Sequence, residues 1–313
     1  MLIRHPILVT TGDPEGVGPD LTESISQNSY NHPFVIIGEQ KYIPHTFPII
    51  SRKEIIEQEK LPEFSLLEPL LPAQHAASFA YLELALSLLD DGHGAALLTG
   101  PIDKKKWLDS GIPYKGHTEL FQARYNRNAI MFFWSDKLKI ALYTVHRPLS
   151  SVASTLSVSG ICTFLDTLIP ELNLFFDKPC HIMLAGLNPH AGEMGIMGNE
   201  ETDCIIPAIN IARTRHPNEI SGPYPPDTLF HAIRNEENIV VVCWYHDQGL
   251  IPFKLLHFHE GVNVTLGLPF LRTSPDHGTA QPLKGTDMIN PGSMLAAAAL
   301  ADRWATNKKK YQI

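Results

Sequence analysis

The chain has 313 residues, enough for two ordinary domains or one large α/β unit, and its 44% hydrophobic and 19% charged residues fall in the globular range. With 33 acidic against 25 basic residues the formal charge is -8. That excludes a broad basic field for nucleic acid or an anionic membrane surface, so an anionic substrate has to be held by a few local cations.

In chain order, a strand is expected over residues 6–11, followed by the turn T-G-D-P-E-G-V-G-P from Thr11 to Pro19. Its glycines, Gly12, Gly16 and Gly18, fit neither the G-x-G-x-x-G dinucleotide fingerprint nor a P-loop. Either a tight structural turn or a close approach of backbone to a ligand accounts for them. A second strand is expected over 34–38, and residues 40–75, rich in Pro and charge with weak periodicity, read as a surface excursion. Phe79, Leu82, Leu86 and Leu89 recur at helical spacing within 76–90, and Gly92 supplies a stop. Further strands are expected over 95–99, 138–145, 181–187, 239–245 and 262–266, and further helices over 157–169, 200–213 and 294–306. Alternation of short β-branched runs with helical patterns indicates an α/β fold. No apolar run reaches the roughly 18 residues of a membrane span. The N-terminus lacks the regions of a signal peptide, and the four cysteines form no C-x-x-C pair. The reading is a cytoplasmic protein with reduced thiols, without nucleic-acid or membrane partners.

Three of the fifteen histidines follow strongly apolar strands: His146 after KIALYTV, His190 after HIMLAGLNP and His246 after NIVVVCWY. Carboxyl ends of strands in open α/β sheets converge on the ligand crevice, so these imidazoles can meet although far apart in sequence. Any one of them alone reads as an ordinary hydrogen-bonded loop residue; their joint placement reads as a divalent-metal site with open positions. Such an ion suits alcohol oxidation, because it lowers the pKa of the hydroxyl. Asp247 beside His246, and Asp227 in PPDTLF, are candidate acids that read equally as helix caps or surface residues. G-H-T-E at Gly116–Glu119 makes an anion-binding corner if His117 and Thr118 face a ligand, or a helix cap if they do not. Lys254, Asn263 and Arg272 supply cation, amide and cation; Lys254 by itself reads as solvated surface charge, whereas Arg272 is able to bind two oxygens at once. The loop D-H-G-T-A at Asp276–Ala280 is a compact polar turn, and no nucleophile elbow appears.

Taken together, GDPEGVGP, LLTGPIDK, GIPYKGHTE, VHRPL, LNPHAGE, PPDTLF, YHDQGLIPFK and GVNVTLGLPFLRTSPDHGTA resemble the 4-hydroxythreonine-4-phosphate dehydrogenase family of vitamin B6 biosynthesis over nearly the whole chain. The match is weakest between about residues 40 and 85 and after 300, and Glu15 stands where that family usually has alanine. The resemblance implies two α/β/α domains with a cleft between them, as in isocitrate and isopropylmalate dehydrogenases. Residues 1–135 with 275–313 would form the NAD side, and 136–274 the metal and dimer side. It also implies that His146, His190 and His246 bind one divalent ion per active site (zinc, magnesium or cobalt). His117, Thr118, Lys254, Asn263 and Arg272 would contact substrate, with Lys254, Asp227 and Asp247 serving catalysis. His277 and Gly278 would contact NAD, or NADP. The implied reaction is oxidation and decarboxylation of 4-phosphooxy-L-threonine to 3-amino-2-oxopropyl phosphate by a homodimer with its active site at the subunit interface. The readings carried beside it are a dehydrogenase of threonate or erythronate 4-phosphate and a non-catalytic metabolite-binding protein on the same scaffold.

Overall fold

Runs such as ILVT, FVII, ALLT and IVVVC are apolar throughout, save the closing Thr of the first and third, rather than alternately, the pattern of strands covered on both faces, and nearly all of these residues are buried. The computed structural model of the chain describes residues 5–57, 60–69, 76–127, 129–176 and 178–311, with 309–311 described by their backbone. Its strands are β1 (Ile7–Thr10), β2 (Phe34–Ile37), β3 (Phe64–Leu67), β4 (Ala96–Thr99), β5 (Ile130–Trp134), β6 (Lys139–Leu142), β7 (His181–Ala185), β8 (Ile220–Tyr224), β9 (Ile239–Cys243), β10 (Val262–Leu266) and β11 (Leu271–Pro275).

The chain divides into two units, one comprising the described residues up to Ala129 and from Val262 onward, the other Ile130–Gly261. In the first, the strand order is β3-β2-β1-β4-β11-β10, all parallel except for the antiparallel β10–β11 pair. In the second the order is β5-β6-β9-β7-β8, parallel except for the β5–β6 hairpin. The boundaries therefore fall at 129/130 and 261/262 rather than at the expected 135/136 and 274/275. Hydrogen bonding decides this: β11 pairs in register with β4 (Leu271 with Ala96, Thr273 with Leu98) and carries β10 with it. Asn263 and Arg272 thus belong to the first unit. The expected surface excursion contains β3, which pairs with β2 and is buried at Ser65, Leu66 and Leu67; part of that excursion, residues 58–59 and 70–75, lies outside the described residues.

Helix Ala77–Asp90 packs Leu82, Leu86 and Leu89 into the first unit's core with Leu8, Val35, Leu97 and Trp107. The second unit's core gathers Ile140, Leu142, Val241, Cys243, Leu250 and Phe253. All four cysteines are free, and burial pushes the Cys180 thiol up to about 12, which keeps it protonated and unreactive. No single helix among the described residues is long and apolar enough to cross a membrane.

Helix Gly292–Tyr311 is clamped to the first unit by Asp302, which is 5% exposed. Its carboxylate accepts from the backbone N–H of Asn31 at 3.0 Å, from the backbone N–H of His32 at 2.9 Å and from His32 Nδ1–H at 2.8 Å. Burial alone would raise its pKa, but the bonds from His32 and Asn31 outweigh burial and hold it below the ordinary carboxylate value. A depressed pKa contributes stability that is present above the unfolded value and lost as pH falls through the folded one. Asp302→Ala is expected to cost about 3 kcal/mol by breaking a buried pair. Thermal melts across the acid range should show the variant losing less stability on acidification than the parent.

Candidate active site

Strands β6, β9 and β7 are neighbours in that order, and His146, His246 and His190 follow their carboxyl ends. Buried hydrogen bonds align those ends. The Thr144 N–H donates to Trp244 O at 3.2 Å, and Trp244 Nε1–H donates to Ala185 O at 2.6 Å. Gln248 accepts from the Trp244 N–H at 2.8 Å and donates to Gly186 O at 2.7 Å. With both ends of its amide satisfied, Gln248 can be buried without penalty. Neither Trp244 nor Gln248 stands out in the sequence, yet they fix where the histidine-bearing loops begin.

The His146 and His246 rings come within 5.7 Å, centroid to centroid, tilted by 41°. His246 opens the helix His246–His257, and its Nδ1–H donates to Asp247 Oδ1 at 2.7 Å. A carboxylate only accepts, so this bond fixes the tautomer and leaves the Nε2 lone pair available. Asp247 therefore orients an imidazole. Lys254 follows about two turns later on the same helical face.

His190 sits on a different kind of backbone. Residues His190, Ala191, Gly192, Glu193 and Met194 have φ of 53, 53, 78, 43 and 55°, a left-handed turn that L-residues adopt only under constraint. Helix Pro226–Ala232, with exposed Asp227 in its first turn, packs against this turn. Among the described residues no three His, Cys, Asp or Glu side chains stand together in ligating reach. Of the expected trio, the rings of His146 and His246 stand together, and His190 lies on this separate left-handed turn. The donors themselves suit a divalent ion: exposed or half-buried imidazoles, one with its tautomer set by a carboxylate.

In the first unit, Thr99 of β4, Arg272 of β11 and Thr265 and Asn263 of β10 share one face of the sheet. Arg272 Nε–H and Nη2–H both donate to Thr99 Oγ1, at 3.0 and 2.7 Å, and Nη1–H donates to Thr265 Oγ1 at 3.4 Å. Nη2–H also donates to His117 Nδ1 at 3.3 Å. None of these partners is anionic, and burial pushes the guanidinium down to about 9, still protonated at neutral pH. Burial first, then the charges of Arg272 and Lys104, hold His117 well below its ordinary value, so the ring is neutral. With Nδ1 accepting, the proton resides on Nε2. That atom is buried without a hydrogen-bond partner, as is Asn263 Oδ1 on the neighbouring strand. Gly116, before the helix His117–Tyr125, provides no side-chain cap, leaving first-turn N–H groups at His117 and Thr118 for an anion. A buried cation with no counter-ion among the described residues, uncapped amides and an orphaned donor and acceptor make an arrangement suited to an anion.

His277 and Gly278 follow β11 on a loop packed against the first turn of the chain. His277 Nδ1–H donates to Gly278 O at 3.0 Å, and the Val17 N–H donates to Thr279 O at 2.9 Å. A Cβ on Gly16 would come within 2.8 Å of Thr279 O, so that glycine serves loop packing. Lys106 Nζ joins buried Asp13 at 2.9 Å to exposed Glu15 at 2.5 Å, which gives the unusual Glu15 a partner.

The family model for pyridoxal phosphate biosynthetic protein PdxA matches residues 30–301. The chain belongs to this family. Among PdxA-family relatives, the 4-hydroxythreonine-4-phosphate dehydrogenase of Desulfosudis oleivorans is 37% identical, over 95% of this chain and 95% of that protein. The corresponding enzyme of Desulforapulum autotrophicum is 35% identical, over 98% and 97%. The crystal structure of 4-hydroxythreonine-4-phosphate dehydrogenase from Klebsiella pneumoniae superposes with a TM-score of 0.80 at 32% identity, over 97% of this chain and 98% of that one. A terephthalate 1,2-cis-dihydrodiol dehydrogenase from Burkholderia xenovorans, at 23% identity and a TM-score of 0.70, shares the fold. The family expected from the motifs is the one found, and the PdxA-family fold is α/β as expected.

Proposed function

We infer that this PdxA-family chain is a nicotinamide-dependent dehydrogenase of pyridoxal phosphate biosynthesis that oxidises the C3 hydroxyl of 4-phosphooxy-L-threonine. The observation that carries the reading is the buried Arg272 guanidinium, whose partners among the described residues are neutral, beside the orphaned Nε2–H of His117 and Oδ1 of Asn263. A ligand with an anionic oxygen and a hydrogen-bond donor satisfies all three, as a phosphorylated hydroxy amino acid does. NAD, when bound, would accept hydride from C3; loss of the hydroxyl proton then leaves a ketone β to the carboxylate. The C–C bond to the carboxylate then breaks with release of carbon dioxide, and protonation of the resulting enol gives 3-amino-2-oxopropyl phosphate.

His146, His190 and His246 would hold a divalent ion (zinc, magnesium or cobalt), which would supply Lewis-acid polarisation of the reacting hydroxyl. Asp247 holds His246 in its metal-binding tautomer, Lys254 and Thr118 contact substrate, and Asp227 is a supporting acid. The decisive assay follows NADH formation with 4-phosphooxy-L-threonine, threonate 4-phosphate and erythronate 4-phosphate, with NADP run in parallel. Preference for either of the latter acids reassigns the substrate, and no reduction with any of them sinks the enzymatic reading.

NAD is assigned to the loop bearing His277 and Gly278. Gly278 is exposed, has no atom within 4 Å of a built Cβ and does not need a positive φ. Gly278→Ala is therefore expected to leave Tm unchanged or slightly higher, by restricting the unfolded chain, while raising the KM for NAD several-fold. An unchanged KM for NAD would move the cofactor elsewhere.

The chain is further proposed to act as a homodimer. Met194, 94% exposed, and Ile196 flank the His190 turn, while Leu255, 82% exposed, and Phe258 extend from the His246 helix. Exposed apolar side chains on the two elements that carry metal ligands are the surface a second copy would cover.

A further inference from the structure

The turn that carries His190 closes around a single carboxylate. Glu201 is 1% exposed. Its Oε1 accepts the backbone N–H groups of Leu187 and Asn188, both at 2.8 Å, and its Oε2 accepts Asn188 Nδ2–H at 2.9 Å. The same amide reaches Glu200 Oε2 at 2.7 Å. The glycines nearby are spaced for this arrangement: a Cβ on Gly192 would stand 2.6 Å from Glu201 Oε2, and one on Gly198 would stand 2.4 Å from Asn188 Nδ2. Glu201 itself is anchored from below. It begins the helical segment that continues through Ile206–Arg215, where Ile205 and Ile209 are buried and the helix packs on Val158–Leu172.

Four non-glycine residues in the left-handed region cost on the order of 1–2 kcal/mol each, so the turn persists only if something fixes both its ends. Glu201 does so at the strand end, where Leu187 and Asn188 immediately precede Pro189 and His190. We propose that Glu201 is the positioning residue for His190: its buried carboxylate holds the 187–198 segment in the left-handed turn and so presents the imidazole for metal binding. The proposal rests on the reading of His190 as a ligand. Asp247 orients His246 by a direct bond to the ring, whereas Glu201 acts through the backbone that bears the ring.

The test combines two measurements on the full-length protein: hydrogen exchange of amides 187–198 in metal-free protein, and Zn²⁺ affinity by titration calorimetry. Glu201→Ala is expected to lose protection at Leu187 and Asn188 and to bind Zn²⁺ at least tenfold more weakly, a loss typical of groups that orient ligands. Protection elsewhere should match the parent. His190→Ala is expected to do the reverse, keeping protection and losing Zn²⁺. Retained protection in Glu201→Ala, or lost protection with unchanged Zn²⁺ affinity, overturns the positioning role. If His190→Ala binds Zn²⁺ like the parent, the ligand reading falls, and the positioning role with it, whatever the exchange data show. Should Glu201→Ala not fold, Glu201→Gln is measured in its place. It keeps an acceptor for the two backbone donors but sets an amide donor against Asn188 Nδ2, so it weakens the clamp without deleting it: weaker Zn²⁺ binding with reduced protection across 187–198 is expected, and unchanged Zn²⁺ affinity overturns the positioning role.

Discussion

Arg272→Met is expected to lower kcat/KM for the phosphorylated substrate about a thousandfold without lowering the Tm of the ligand-free protein. Two charge-assisted hydrogen bonds to an anion, each worth about 2 kcal/mol, together amount to about three powers of ten. Tm should hold because the guanidinium is buried among Thr99, Thr265 and His117 with no anion beside it among the described residues, so it burdens the empty protein. Replacing a buried charge with an apolar side chain of similar volume is often neutral or stabilising. Arg272→Lys keeps the charge but loses the planar fork, and its activity should fall between parent and Arg272→Met. The KM for NAD should change little in either variant. Addition of inorganic phosphate should raise the Tm of the parent and not of Arg272→Met. Activity within tenfold of the parent, or loss of NAD binding with substrate affinity retained, would reverse the assignment.

Replacing His190 or His246 with alanine is expected to remove both bound metal and activity, and mixing the two inactive variants should restore about a quarter of the sites. Each substitution deletes an imidazole donor and leaves the core untouched, since both histidines are exposed or half-buried. Tm in the presence of chelator should therefore match the parent. The mixing result follows if a given ion takes His190 and His246 from different chains of a two-fold dimer. A hybrid then has one site with both lesions and one with neither, and random exchange makes half of all dimers hybrids. Metal content by elemental analysis should recover in step with activity. If both ligands came from one chain, every site in every hybrid would keep a lesion and nothing would return. A tagged-chain pull-down establishes that subunits have exchanged, and with exchange shown, absence of recovery refutes the shared site while leaving the ligands themselves in place.

Much of this architecture is written locally. ILVT, FVII, ALLT and IVVVC are continuous apolar runs, broken only by a closing Thr in two of them, which is enough to call for strands covered on both faces and hence for an α/β fold. His146, His190 and His246 are legible as candidates because each follows such a run, and the motif set identifies the family. The short strands are less legible. β8, ISGPY, carries Gly and Pro, which argue against a strand, and it survives because it pairs only with β7, at an edge. β3 is four residues long inside a Pro-rich stretch.

What the sequence leaves open is every property that belongs to a pair of residues rather than to one. The hairpin of β10 and β11 joins the first unit because β4 offers it a hydrogen-bonding edge, and no local pattern in 262–275 names that partner. Thr99 is an unremarked residue of LLTGPIDK until it accepts from Arg272, 173 positions away. The left-handed run at His190–Met194 contains one glycine, so local propensity gives no warning of it; the conformation exists because Glu201, from a neighbouring helical segment, takes up the donors at its entrance. Propensity and hydrophobic period act residue by residue and survive in the unfolded chain, whereas burial of a charge, a shifted pKa or a strained turn is created only when distant groups exclude water together.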